Sequence, residues 1–241
     1  MSRKTVFITF GGPMPNYHYA VDRICNEASS TNWFNEIIGY KDSDLKSDSE
    51  FWNKHGQFIE SNNRGYGYWT WKSYLIQKSL EKLNDGDILV YADAGCQVNK
   101  QGEQRFYEYI NMLDTDPNQY GLISFQMNHL PEEYYTKQII FRELECNEQI
   151  RKSGQCIGGI QIIKKTSHSV ELINKWVSNM KYHLINDDRS NEIPEFIDNR
   201  HDQSIYSCIV KKYSSIKIPD ETWYEDWSQS LTIPILARRC K

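Results

Sequence analysis

The sequence predicts an α/β fold, with a mostly parallel central sheet and helices on both faces. Three observations carry this. Thr5-Val6-Phe7-Ile8-Thr9-Phe10 is a β-branched and aromatic run cut off by Gly11-Gly12-Pro13. Asp87-Ile88-Leu89-Val90-Tyr91-Ala92 is a second apolar run, opened by Asn84-Asp85-Gly86 and closed at Asp93. Val170, Ile173, Val177, Met180 and Leu184 recur at helical spacing over 167–185. Strands that alternate with helices join into parallel sheets through crossover helices.

The elements follow in order. After the strand at 5–10, a helix is predicted over 17–28 and a short strand at 36–40. Residues 41–55, rich in Ser, Asp and Lys, read as a surface loop with a helical turn. A helix follows Trp71, with Ile76, Leu80 and Leu83 on one stripe, and leads into the strand ending at Ala92. Phe106, Tyr109, Ile110 and Leu113 mark a helix over 102–113, and 121–125 a strand. Thr136 is placed to cap a helix carrying Ile140, Phe141 and Leu144. Residues 156–163 read as a strand broken by Gly158-Gly159. Then come the helix over 167–185, a polar loop over 186–199, a helix over 202–213 and a strand at 216–218. Residues 220–241 are aromatic and irregular.

Composition narrows the function. Apolar residues make up 39% of 241, enough for a real core, and no composition break divides the chain, so one domain over 1–241 is expected. A net charge of -4 argues against nonspecific nucleic-acid binding. The six cysteines, at 25, 96, 146, 156, 208 and 240, form no C-x-x-C pair, which argues against zinc and for free thiols in a reducing compartment. Neither a leader nor a run of about 20 apolar residues is found, so no transmembrane segment is expected. The 16 Tyr and 7 Trp suit stacking on sugars or bases, and also occur without a ligand.

Five clusters can carry chemistry. Asp93 and Gly95 sit at the carboxyl-terminal edge of a predicted buried strand, where open α/β sheets bind ligands. A carboxylate there can hold a divalent cation and, through it, a diphosphate, or can merely form a turn. The segment 63–72 gathers Arg64, Gly65, Gly67, Tyr68, Trp69, Trp71 and Lys72 before a helix. Arg64 suits a phosphate, and Trp69 or Tyr68 a base or sugar, unless the tryptophans pack into the core and the cations stay solvated. Gly158-Gly159 marks a bulge or a close backbone approach, by a ligand or by a neighbouring helix. His201 offers a nitrogen ligand and Asp202 a base, or Asp202 only caps its helix. Arg238 and Arg239 close an apolar run and can reach a diphosphate or remain a solvated pair. The signatures of Rossmann dehydrogenases, P-loop NTPases and serine hydrolases are missing.

Gly67-Tyr68-Trp69-Thr70-Trp71-Lys72, the run from Asn84 to Cys96, and His201-Asp202-Gln203-Ser204 together resemble GT-A-fold glycosyltransferases, in particular small bacterial and large-DNA-virus enzymes of the chlorella-virus capsid-glycan type. The resemblance spans roughly residues 5–239. It implies a single GT-A-like domain that moves a sugar from a nucleotide-sugar donor, commonly a UDP-sugar, to a glycan or glycoprotein acceptor with Mn2+ or Mg2+. It would place Thr9, Phe10 and Gly11 at the base, and Tyr91, Ala92, Asp93 and Gly95 at the ribose, diphosphate and metal. Gln155, Gly158 and Gly159 would line the sugar side. Arg64, Trp69, Lys72 and Arg238 would complete donor binding, and His201 would join Asp93 on the metal. Asp202 would be the base of an inverting transfer, or in a retaining one would bind the donor sugar or acceptor. Trp223, Tyr224 and Trp227 would offer an acceptor platform. The chain departs from the D-x-D signature at Gly95, so either Asp93 coordinates with help from His201 or metal dependence is weak. A cytoplasmic enzyme is implied, in the host cytoplasm if viral. A glycan-binding protein without activity and a sugar-nucleotide nucleotidyltransferase are the alternatives; the latter generally carries a basic loop after the first strand, and 11–17 holds no cation.

Overall fold

The computed structural model describes residues 3–240. Among the described residues nine strands are formed: β1 Thr5–Gly11, β2 Glu36–Lys41, β3 Ile88–Ala92, β4 Gln97–Val98, β5 Leu122–Pro131, β6 Gly154–Cys156, β7 Ile160–Lys164, β8 Ile216–Pro219 and β9 Ile235–Leu236. Seven make one sheet, ordered β2-β1-β3-β7-β5-β6 with β8 on β5. β2, β1 and β3 are mutually parallel, and β5 and β8 run with them. β7 and β6 run against them, so the sheet is mostly parallel, as expected. β6 and β7 lie along the same side of β5, since Gln126 pairs with Cys156 on one side and with Pro219 on the other. The expected strand with a Gly-Gly break is therefore these two strands, interrupted at 157–159.

Alternation sorts the strand residues to two faces. Val6, Ile8, Phe10, Leu89 and Tyr91 pack into one buried cluster with the helices Thr70–Glu81, Ser167–Asn179 and Asp202–Lys212. Phe7, Ile88, Val90, Ala92, Ile160 and Ile162 pack into the other with the helices Pro15–Thr31 and Glu103–Thr115. Period-2 side-chain direction is the reason both faces are filled from one run.

Several boundaries differ from expectation. Residues 41–55 form a helix Asp42–Ser47 and the start of another, Ser49–Ser61. Leu45, Phe51 and Ile59 are buried there, too sparse among polar residues to be read as a stripe. The Asp48 carboxylate caps the second helix by accepting from the Phe51 amide at 3.1 Å. Thr136 caps no helix, because its hydroxyl donates to buried Glu132 at 2.5 Å, and the helix begins at Gln138. The 167–185 helix breaks after Asn179 and resumes at Tyr182–Ile185. No helix among the described residues is long and apolar enough to cross a membrane.

Candidate functional site

A cleft of about 880 Å3 opens at the carboxyl-terminal edges of β1 and β3. Phe10, Gly12 and Tyr17 line one wall, Gly65, Tyr66 and Trp69 a second, and Asp93, Gly95, Gly159, Gln203 and Arg239 the floor and far side. This is the position that a parallel sheet offers, since each strand there ends in a loop whose side chains can converge.

Asp93 is fixed at the floor by its neighbours. Its amide donates to the Gly159 carbonyl at 2.8 Å. Tyr91 Oη donates to its Oδ1 at 2.5 Å, and Lys72 Nζ lies 3.1 Å from the same oxygen. Oδ2 lies over Gly159, where a Cβ would come within 2.7 Å of it. Gly159 thus has a steric reason: it vacates the space that Asp93 fills. Lys72 is 3% exposed and sits between Asp93 and Asp202, 2.9 Å from Asp202 Oδ2. Burial pulls its ammonium toward neutrality, but the two carboxylates outweigh this and raise its pKa. Burial pushes the Asp202 carboxyl up to about 6 against the pull of Lys72.

The wall at 65–69 is a left-handed turn. Gly65, Tyr66, Gly67, Tyr68 and Trp69 all have φ between 51° and 81°, a conformation that costs roughly 1–2 kcal/mol for each residue carrying a Cβ. Glycine at 65 and 67 removes two such costs and two clashes, with Trp69 and with Ile59. The turn presents Tyr66 and Trp69 to the cleft and seats Trp71 at its inner wall, where it packs on Phe10 at 4.0 Å and donates to the Gly65 carbonyl at 3.1 Å. Trp69 and Trp71 thus both line the cleft, Trp71 as its buried inner wall.

The structure brings together Phe10, Trp69, Asp93, Gly95 and Gly159 on the cleft, with Tyr91 and Lys72 directly beneath Asp93. Thr9 turns inward, donating to the Ala92 carbonyl at 2.7 Å. A Cβ on Gly11 would strike the Tyr17 carbonyl at 2.6 Å, so Gly11 lets the first helix close on β1. Arg64 faces away, bound to Asp187 and Asp198 at 2.7 and 2.9 Å. Arg238 also points elsewhere, donating to Gln97 at 2.9 Å over the Trp227 ring. Trp223 and Trp227 meet edge to face at 6.4 Å, and neither they nor Tyr224 line the cleft.

Gln155 is buried under the floor, and its amide lies among Glu132, Tyr135, Thr136 and Ser204. It reaches the cleft only through Gln203, which donates to Gln155 at 2.8 Å and accepts from the Gly158 amide at 2.9 Å. A Cβ on Gly158 would press on Gln203 at 2.9 Å. Gln203, which the sequence reading gave no role, lines the cleft, and of the two arginines it named, Arg239 lines the cleft and Arg238 does not. The signal for Gln203 was adjacency: it follows Asp202.

Two expected site residues lie off the cleft. A base must be within hydrogen-bond reach of the hydroxyl it deprotonates. Asp202 is 4% exposed, does not line the cleft and pairs with Lys72. His201 is 2% exposed, lies against Tyr68 and Trp69, and has Nδ1 2.9 Å from the Ile185 carbonyl. Its Nε2 faces Asp187 at 3.6 Å, and it does not share the cleft with Asp93. Burial, helped by Arg64, lowers its pKa to about 4. His201 thus contributes stability above its ordinary value of 6.5, lost as pH falls toward 4. An NMR titration should show its ring neutral from pH 8 to about 5; protonation near 6.5 would refute the buried placement.

The divalent cation has a poor donor set. Asp93 offers one free oxygen, Gly95 has no side chain, and His201 is turned away. Among the described residues no group of three His, Cys, Asp or Glu side chains can hold a metal ion. These residues do not fit a preformed metal centre.

No protein-family model matches the chain, and no curated protein matches it. Solved structures do. The chain is similar, at 14% identity and a TM-score of 0.51, to a glycosyltransferase involved in the glycosylation of the major capsid of PBCV-1, over 96% of this chain and 92% of that one. It is similar at 10% identity and TM-score 0.45 to mouse xyloside xylosyltransferase 1, over 98% and 93%, and at 11% and 0.44 to galactosyltransferase LgtC, over 96% and 86%. The fold assignment rests on the first of these together with the sheet order. The protein has the GT-A-like glycosyltransferase fold.

Proposed function

We propose that the chain is a glycosyltransferase working as one GT-A-like domain, which moves a sugar from a nucleotide-diphosphate donor, a UDP-sugar by the resemblance, to a hydroxyl of a glycan or glycoprotein. The single observation that carries this reading is Asp93 on the cleft floor, with one oxygen locked by Tyr91 and Lys72 and the other free beside a glycine cut to its size. A free carboxylate oxygen next to a vacated surface suits a ribose or sugar hydroxyl. Tyr66 and Trp69 supply ring faces to the same cleft. In the transfer, the bond from the anomeric carbon to the diphosphate breaks with its electron pair on the diphosphate. The acceptor oxygen bonds that carbon, and its proton leaves with the diphosphate. Burial of Asp202 against Lys72 supports the retaining version, which needs no such base. The six free thiols support the reading of a reducing, cytoplasmic setting.

A panel of UDP-, GDP- and TDP-sugars tests this, with release of nucleoside diphosphate measured with and without glycan acceptors. At least one donor is expected to be consumed, and Asp93→Ala is expected to lower that rate by about 100-fold or more. Glycan binding with no donor bound or consumed would instead favour the binding protein.

A further inference from the structure

Resting on that reading, we infer that the donor diphosphate is neutralised by the guanidinium of Arg239, and that this chain binds its nucleotide without a divalent cation. The inference starts from what replaces the missing acid. Gly95 stands where a second carboxylate would face Asp93, and the segment carrying Arg239 crosses over it. A Cβ on Gly95 would lie 3.5 Å from the Arg239 Cα. The crossing is built in: Cys240 N donates to the Gly95 carbonyl at 2.7 Å, Ala237 N to the Thr222 carbonyl at 2.8 Å, and β9 pairs with β4, two residues beyond Gly95. Gly95 thus gives up both a cation ligand and its backbone oxygen to hold Arg239 at the cleft.

Arg239 itself is placed for an anion. It lines the cleft, is exposed, and has no carboxylate within ion-pair distance among the described residues. Its neighbour Arg238 points the other way, to Gln97 and Trp227. Arg239 holds a left-handed φ of 56°, so the turn that separates the two arginines is fixed at a cost in backbone energy. The other charged residues that line the cleft are Glu60 and Asp93, and Lys72 already balances Asp93 from below. An arginine fork can take two diphosphate oxygens at once and keeps its charge at any working pH. Lys72 supplies to Asp93 the positive neighbour that a metal ion would supply, so Asp93 needs no second cation.

Calorimetry of UDP, GDP and dTDP with the full chain, in EDTA and in MnCl2, tests this. The nucleotide that binds is expected to do so with the same affinity in both buffers, within about threefold. Arg239→Ala is expected to weaken it by about 10- to 100-fold, and Arg239→Lys to recover part of the loss, with melting temperatures unchanged because the side chain is exposed. Affinity that rises more than about tenfold on adding Mn2+, or that is unchanged in Arg239→Ala, overturns the inference and leaves the transferase reading standing. A chain that binds none of the three nucleotides in either buffer overturns both.

Discussion

Replacing Lys72 by Met lowers the stability of the fold by about 3–5 kcal/mol at pH 7, the range for removing one partner of a buried ion pair. Lys72 is buried between Asp93 and Asp202, at 3.1 and 2.9 Å. Methionine fills the space but leaves Asp202, itself buried, with no cation beside it. The loss depends on pH, with a definite sign. The folded pKa of Asp202, about 6, lies above its ordinary 3.8. Its proton therefore favours the folded state below 3.8, and that contribution is lost as pH rises through 6. Without Lys72 the carboxyl holds its proton more tightly still, so the deficit is largest at pH 7 and above and narrows toward pH 5. Urea denaturation of both proteins at pH 5 and pH 8 checks this. Equal losses at the two values would show that Asp202 does not depend on Lys72 for its charge.

Gly159→Ala is expected to abolish transfer while the protein stays folded. The new methyl would lie 2.7 Å from Asp93 Oδ2 and 3.4 Å from its carboxyl carbon. Asp93 cannot retreat with its backbone, because its amide is bonded to the Gly159 carbonyl, and its other oxygen is held by Tyr91 and Lys72. The carboxylate must rotate out of place. Overpacking of this kind costs about 1–3 kcal/mol, within the reach of an ordinary domain. A double-mutant cycle isolates the contact: in an Asp93→Ala background the same Gly159→Ala change should cost close to nothing, since the carboxylate it strikes is gone. Additive costs would place the strain elsewhere, and a fully active Gly159→Ala would show that the carboxylate position is not needed.

Both predictions concern contacts made across the chain, and they mark where reading the sequence reaches its limit. The strand at 88–92 and its acid were legible because a buried strand between turn signals is written in consecutive residues. The Gly158-Gly159 break was legible for the same reason, though its cause, the side chain of Asp93, was not. Residues 41–55, read as a loop with a helical turn, lie mostly in two helices, because burial of a few well-spaced residues among polar ones depends on what packs over them.

Local pattern alone determined the fold class, the order of strands and helices, and the placing of Asp93 at a sheet edge, because apolar periodicity and turn residues act between near neighbours. Which of two adjacent residues faces the cleft was decided only by the tertiary structure. Trp69 reaches it through a left-handed turn. Gln203 and Arg239 face it, while His201, Asp202 and Arg238 do not. Direction depends on the φ and ψ of a few residues and on distant partners such as Asp187, Ile185 and Gln97. The same holds for Lys72: its charge is written in the sequence, but its place between two acids from different elements exists only once the sheet has formed.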